Sequence, residues 1–409
     1  MTSFLKIFPR SKPNGKELKG PFVPLDTVNL EYSISAVSAN LSLYCKSCKA
    51  LQQQSPRDDS KVDGHAFSGL LGIISKGIFM IYQVDLNSSD QFSSNILQTV
   101  QIPHVNSPLV KPTITLAKWI RLKKQKHELT VLILVSNMGI SIYSEDGSRP
   151  LCSHEYSEES VPDLVCRNVS ATSSQILTGN GRGEVHVFEF CNGKVSFRRT
   201  DKVQGESITQ MCSRRNILAT GSPSGTVRVW RIKHNKAVKV CCFKTPYEEC
   251  VTGMGVWEGC ILVTYGSGLF RIFHLQTRKL LVKVAAHSRW IGSMDLLAHH
   301  GESLLLTVAE DDAVLIWKLT MEDAGVPRRL SLNRFTNIKN KIKSIQRNKP
   351  PKRKQPKITV SLESSILVDN MLLVGGKFIT CAGNVVALAN YGAKEIYIYS
   401  RMSPGNPND

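Results

Sequence analysis

The chain has no apolar run near the roughly 18 residues that a membrane-spanning helix needs. Its first residues, MTSFLKIFPRSK, hold an apolar block too short for a secretory signal. Signatures of common chemistries are missing too. There is no glycine loop with a phosphate-binding lysine, no nucleophile elbow and no HExxH. Eleven cysteines, an odd number that includes the adjacent pair Cys241-Cys242, do not make a disulfide framework in a chain of 409 residues. These absences predict a cytoplasmic protein, with the nucleus also open, that keeps its thiols reduced. They predict no catalytic residue, no cofactor and no metal. Cys45 and Cys48 have metal-ligand spacing, but no second Cys or His pair accompanies them, so they read as ordinary thiols. The sequons at Asn40, Asn87 and Asn168 then read as chance matches.

What the chain does have is a repeated form: an apolar run, a tight turn, then a run carrying an aromatic. LLLTVAEDDAVLIWKL, from Leu304 to Leu319, shows it most clearly. Two apolar, β-branched runs flank a polar turn, the pattern of a β-hairpin. Six other segments share it, and the matching aromatics are Tyr82, Tyr143, Phe188, Trp230, Phe273, Trp317 and Tyr399. Four consecutive separations of 45, 42, 43 and 44 residues match the period of a four-stranded propeller blade. The first separation, 61, is one period plus a Ser/Asn-rich loop. The last, 82, spans a stretch loaded with lysine and arginine that shows no strand alternation. Seven blades and one insertion are therefore expected, over residues 21–401, with the insertion at 320–357. The insertion reads as disordered or as a short amphipathic helix carrying Phe335, Ile338, Ile342 and Ile345. Tails are expected at 1–20 and 402–409. A four-stranded blade exposes two apolar faces that only its neighbours can cover, so the ring must close. The last repeat stops after its aromatic strand. The segment around Pro21 to Leu30 is the expected donor of the missing outer strand.

The hairpins resemble the WD-repeat family, which implies an all-β fold: a seven-bladed WD-repeat β-propeller closed by an N-terminal strand. In that family a His, a Ser or Thr, a turn Asp and a Trp form a buried hydrogen-bonded set. The sixth repeat matches with His287, Thr307, Asp311 and Trp317. The fourth keeps Thr220 and Trp230, with Glu206 and Ser224 where His and Asp would sit. The third has Thr178 and Phe188, with Arg182 at the turn. A narrower resemblance, to one subfamily, is carried by VAAHSRWIGSMDL and AEDDAVLIWKL; it implies an adaptor without catalysis.

Charge is unevenly spread. Of the formal +19, residues 328–357 carry +12, with twelve Lys/Arg and no acid, and residues 1–20 carry +4, leaving +3 for the rest. Strand order puts both segments on one face, the lower. Arg121, Lys123, Lys124 and Lys126 join them there, with Lys349, Lys352, Arg353, Lys354 and Lys357 in the insertion. The loops of the upper face hold Glu155, Glu158, Glu159, Glu206, Glu248, Glu249, Glu310 and Asp312. A basic lower face and an acidic upper rim would steer and orient charged partners. Two readings follow. One is a scaffold binding protein partners above, tethered below to an anionic membrane or an import receptor. The other, less favoured because the insertion has a single aromatic, is a propeller that contacts nucleic-acid phosphates. The insertion also fits a solvated loop that mainly confers solubility.

Overall fold

The computed structural model describes residues 21–46, 67–87, 91–102, 111–156, 168–233, 236–298, 303–322 and 356–402. The tails at 1–20 and 403–409, Cys48, Glu158, Glu159, Lys349, Lys352, Arg353, Lys354 and the apolar positions 335–345 lie outside them.

The second strand of each repeat is mostly apolar, as a strand covered on both faces must be, and the third mixes apolar residues with polar ones such as His186, Arg228 and Arg271. Outer runs alternate, because only one of their faces meets a neighbour. The chain opens with β1 (Phe22–Asn29). Blade 1 follows with β2 (Ser42–Cys45), β3 (Phe67–Ser75), β4 (Ile78–Leu86) and β5 (Phe92–Gln101). Blade 2 has β6 (Ile114–Lys124), β7 (His127–Ser136), β8 (Gly139–Ser144) and β9 (Pro150–Glu155). Blade 3 has β10 (Asn168–Ala171), β11 (Gln175–Gly179), β12 (Glu184–Cys191) and β13 (Lys194–Lys202). Blade 4 has β14 (Gln210–Arg214), β15 (Ile217–Gly221), β16 (Val227–Lys233) and β17 (Lys236–Phe243). Blade 5 has β18 (Val251–Trp257), β19 (Cys260–Tyr265), β20 (Leu269–His274) and β21 (Lys279–Ala285). Blade 6 has β22 (Ile291–Ala298), β23 (Ser303–Ala309), β24 (Ala313–Glu322) and β25 (Lys357–Leu367). Blade 7 has β26 (Leu373–Phe378), β27 (Val385–Asn390) and β28 (Glu395–Arg401), with β1 as its fourth strand.

The result is seven four-stranded antiparallel sheets in sequence order around a ring. β1 pairs with β28 from Phe22 opposite Arg401 to Asn29 opposite Glu395, so the two ends of the chain share one blade. Arg401 also lies over the Phe22 ring, 5.1 Å from its centroid, and pairs with Glu363 of blade 6 at 3.1 Å.

The core lies between the blades. Seven apolar clusters occupy the seven interfaces, from Leu71, Met80, Val385 and Ile396 at the junction of blades 7 and 1 to Ile316, Phe378 and Val386 between blades 6 and 7. Each repeat aromatic sits on the third strand and packs toward the preceding blade. Beside every one of them the pairing with the outer strand slips by one residue. The extra residue is Leu97, Leu151, Arg198, Val240, Leu281, Glu363 or Leu25. Such a bulge strengthens local twist, and it recurs where the bulky ring must be accommodated.

Two expectations need correction, and the reading of the Asn40 sequon as a chance match is supported. β24 runs through Glu322 and β25 begins at Lys357, so Thr320, Met321, Glu322 and Lys357 belong to blade 6 and the insertion spans 323–356. Thiols are not all reduced: Cys381, in the hairpin between β26 and β27, is disulfide-bonded. The sequon residue Asn40 is fully buried; its side chain bonds Ser35 O, Ile74 O and Ile74 N, which leaves no amide for modification.

Candidate interaction surfaces

Three threonines, Thr178, Thr220 and Thr307, occupy the same place on the second strand of blades 3, 4 and 6, and all are fully buried. What each hydroxyl meets depends on its blade. In blade 6, His287 Nε2 lies 2.8 Å from Thr307 Oγ1, and Trp317 Nε1 donates to the same oxygen at 3.0 Å. His287 Nδ1 lies 3.0 Å from Asp311 Oδ1, while the Ser288 N–H donates to Asp311 Oδ2 at 2.8 Å. Burial alone would raise the Asp311 pKa. The His287 and Ser288 hydrogen bonds outweigh it and hold the carboxyl at about 2.

In blade 4, Trp230 donates to Thr220 at 3.0 Å, but Thr220 donates in turn to Gln204 Oε1 at 2.8 Å. Gln204, not Glu206, therefore stands where His287 stands. The backbone agrees, since the Gln204 and His287 N–H groups bond the carbonyls of the turn glycines Gly183 and Gly268 of the preceding blades. Glu206 instead accepts from Ser224 and pairs with Arg228 at 2.6 Å. Burial opposes its ionisation, and these donors bring its pKa down to about 2. Blade 5 repeats the device: Arg271 grips Glu249 with bonds of 2.8 and 3.0 Å and lies over the Tyr265 ring, 4.4 Å from its centroid. In blade 3, Phe188 has no N–H to offer, and the Thr178 hydroxyl is left without a partner.

The upper face is formed by the turns between second and third strands and by the loops between blades. Glu155, Glu248, Glu310 and Asp312 are exposed there. Glu206 and Glu249 share the face but are committed to Arg228 and Arg271. Asp312 adopts φ 58°, at the turn position that glycine fills in blades 3, 4 and 5. The same face carries most of the exposed large apolar side chains: Tyr32, Tyr247, Trp290, Leu367, Leu372 and Tyr391, with Tyr247 the most open of its aromatics at 73%. Sequence reasoning missed this patch. Its residues interrupt polar loops singly, so no window of sequence shows it.

The lower face holds the hairpin between β6 and β7. Arg121 pairs there with Glu128, Lys124 with Glu189 at 2.9 Å, and Lys357 with Glu322 at 3.3 Å. Lys123 and Lys126 are exposed. Among the described residues, no three His, Cys, Asp or Glu gather as a metal site.

Seven antiparallel four-stranded blades in a closed ring, with the His-Thr-Asp-Trp set in blade 6, define a WD-repeat β-propeller. The chain covers 98% of itself and 98% of a chain in the crystal structure of the Mitotic Checkpoint Complex, at TM-score 0.58 and 10% identity. The WD40 β-propeller domain of Doa1 matches at TM-score 0.56 and 13% identity, over 94% of this chain and 98% of that one. Within that class the chain belongs to the WDR54 family, whose model matches residues 93–326. Mouse (Mus musculus) WD repeat-containing protein 54 is 28% identical over 222 residues, 51% of this chain and 64% of that protein. The human (Homo sapiens) protein of the same name is 26% identical over 223 residues, again 51% of this chain and 64% of its own length. The match thus spans less than two thirds of these relatives. Protein SPA1-RELATED 3 of Arabidopsis thaliana is 26% identical over 182 residues, 43% of this chain and 21% of that protein. WD-repeat propellers are generally non-catalytic and generally bind protein partners.

Proposed function

We propose that this protein is a non-catalytic scaffold that grips a protein partner on its upper face. One observation carries the reading: exposed Tyr32, Tyr247, Trp290, Leu367, Leu372 and Tyr391 share that face with the exposed carboxylates Glu248, Glu310 and Asp312. Aromatic anchors amid charge are the composition of a binding hot spot. The carboxylates favour a partner segment bearing lysine or arginine. The lower face serves to tether or orient the disc, through the 323–356 segment, at an anionic membrane or an import receptor. The protein then works in the cytoplasm and enters the nucleus if that segment is read by an import receptor.

The nucleic-acid alternative is weakened on the described part of the lower face, where Arg121, Lys124 and Lys357 are already matched by carboxylates. The test is affinity capture followed by mass spectrometry with three proteins: intact, Tyr247→Ala/Trp290→Ala, and one lacking 323–356. Partners lost with the aromatic pair and kept without the segment support the reading. Partners kept by the aromatic variant overturn it.

A further inference from the structure

We propose that the outer edge of blade 1 takes up an extended segment of another protein, which adds a strand beside β5 and lays a lysine or arginine in the cleft toward Glu31. Every blade ends in an outer strand with one open edge, and proteins guard such edges with charge or proline. Six of the seven outer strands are guarded in this way. β13, β17 and β21 carry exposed lysines, such as Lys194, Lys239 and Lys279. β25 has Lys357 and Glu363, β9 has Pro150 and Glu155, and β1 has Pro24 and Asp26. β5, FSSNILQTVQ, has neither charge nor proline over its ten residues. A bulge also blunts an edge, but all seven outer strands share one, and in β5 it falls at Leu97. The run before it, Phe92 to Ile96, stays regular. Among the described residues, β4 alone bonds the β5 backbone, so the outward groups of β5 have no partner. Ile96 and Leu97 stand 45% and 46% exposed on it.

Beside that run lies a cleft of about 250 Å³ between blades 7 and 1. Thr27, Asn29 and Glu31 line it from one side, and Ser94, Asn95 and Ile96 from the other. Glu31 is the only charged residue among them. The two walls differ as strand acceptors. On β1, Pro24 has no N–H, and the Thr27 N–H is taken by Asp26 Oδ1 at 2.7 Å. β5 keeps its donors, so an added strand pairs there. Alternate side chains of that strand face blade 7, over the cleft. One of them meets the Glu31 carboxylate, with the hydroxyls and amides of Thr27, Asn29, Ser94 and Asn95 around it, while its neighbours cover Ile96. A cation at that position balances Glu31, and an acid is repelled. Backbone bonds along β5 supply affinity, and the cleft supplies the choice of side chain.

The probe is a fluorescein-labelled heptapeptide in which threonines alternate with valine, lysine and valine, titrated with the full chain and read by anisotropy. It should bind saturably, and roughly fivefold or more tighter than its counterpart with glutamate for lysine. Glu31→Gln should remove that preference. N-methylation of every second peptide residue strips the donors from one edge of a strand. In one phase it should weaken binding roughly tenfold or more, and in the other it should leave binding as it was, because a single edge pairs with β5. Ile96→Lys, at an exposed position, should weaken binding and keep the melting temperature. Binding indifferent to both methylation phases, a lysine preference that survives Glu31→Gln, or no saturable binding overturns the proposal. So does sedimentation showing that the chain pairs with itself and that Ile96→Lys abolishes the pairing, since the occupant of the edge is then a second copy.

Discussion

Gln204 accepts from Thr220 in blade 4 at the distance, 2.8 Å, that separates His287 from Thr307 in blade 6. Two different side chains thus close the same buried link between a loop and the second strand of the next sheet. Gln204→Ala should leave the Thr220 hydroxyl short of an acceptor in a fully buried place and destabilise the fold by about 1–3 kcal/mol. Ser224→Ala, at a partly exposed hydroxyl, should cost less. Urea unfolding measures both, and equal losses would contradict the assignment of Gln204 to the histidine's place.

Asp311→Ala strips His287 of its Nδ1 partner and should cost about 1–3 kcal/mol at neutral pH. The Asp311 pKa is held at about 2, below its ordinary value near 3.8. Its contribution is therefore present above about pH 4 and lost as pH falls toward 2. Unfolding free energies of wild type and variant should converge over that window, and curves that stay parallel down to pH 2 would argue against the link.

A second pH window belongs to the junction of blades 2 and 3. His154 stacks on Phe197, with ring centroids 4.2 Å apart, and lies 5.2 Å from the His186 ring. Burial, then the neighbouring His154, push the His186 pKa down to about 4, with Glu184 opposing. His186 Nδ1 lies 2.9 Å from Thr200 Oγ1, and its Nε2 is buried without a partner. The unfolded chain takes up this proton near pH 6.5, so stability is full above that value. It falls as pH drops from 6.5 to 4, by about 3 kcal/mol for His186. His186→Phe should flatten the slope over those units, measured by denaturant midpoints at half-unit steps.

Removing residues 1–30 takes away the outer strand of blade 7, including Phe22 beneath Arg401, and leaves β28 as an open edge. The remainder should melt far earlier or aggregate. Removing 1–20 alone should leave the melting temperature where it was. If the longer deletion also melts unchanged, the ring does not depend on the shared blade.

Replacing 323–356 with a short Asn-Gly turn keeps the Glu322–Lys357 pairing and should leave the melting temperature within a few degrees, because every described strand is retained. On the scaffold reading, nucleic-acid binding by the intact protein is weak and gone at moderate salt. A filter-binding titration checks this. Sub-micromolar binding near physiological salt that vanishes with the segment would favour the nucleic-acid reading. The logarithmic salt slope would then flatten by roughly 0.7–0.9 for each phosphate the shortened protein no longer neutralises.

The ring was legible in the sequence because its cause is periodic. Every blade must present two apolar faces, and each aromatic marks the same strand. The sixth-blade set was legible because its residue types are distinctive. Gln204 was not, since Glu206 two positions on is as polar and the loop between them follows no period. One signal was available: Glu206 with Arg228 and Glu249 with Arg271 share a spacing of 22 residues. That repeated spacing would have shown two rim carboxylates to be structural rather than free for a partner.

The shared blade also sets an order of events during synthesis. Asn29 faces Glu395, so β1 leaves the ribosome long before β28 and has no partner until that strand has been made. At about 5–20 residues per second, that wait is tens of seconds. Six blades can form in turn as they emerge, each covering one face of the last, while blade 1 keeps its outward face bare. A nascent chain in this state offers one unpaired strand and one bare sheet face to whatever it meets, which makes those tens of seconds the time when a chaperone has the most to cover.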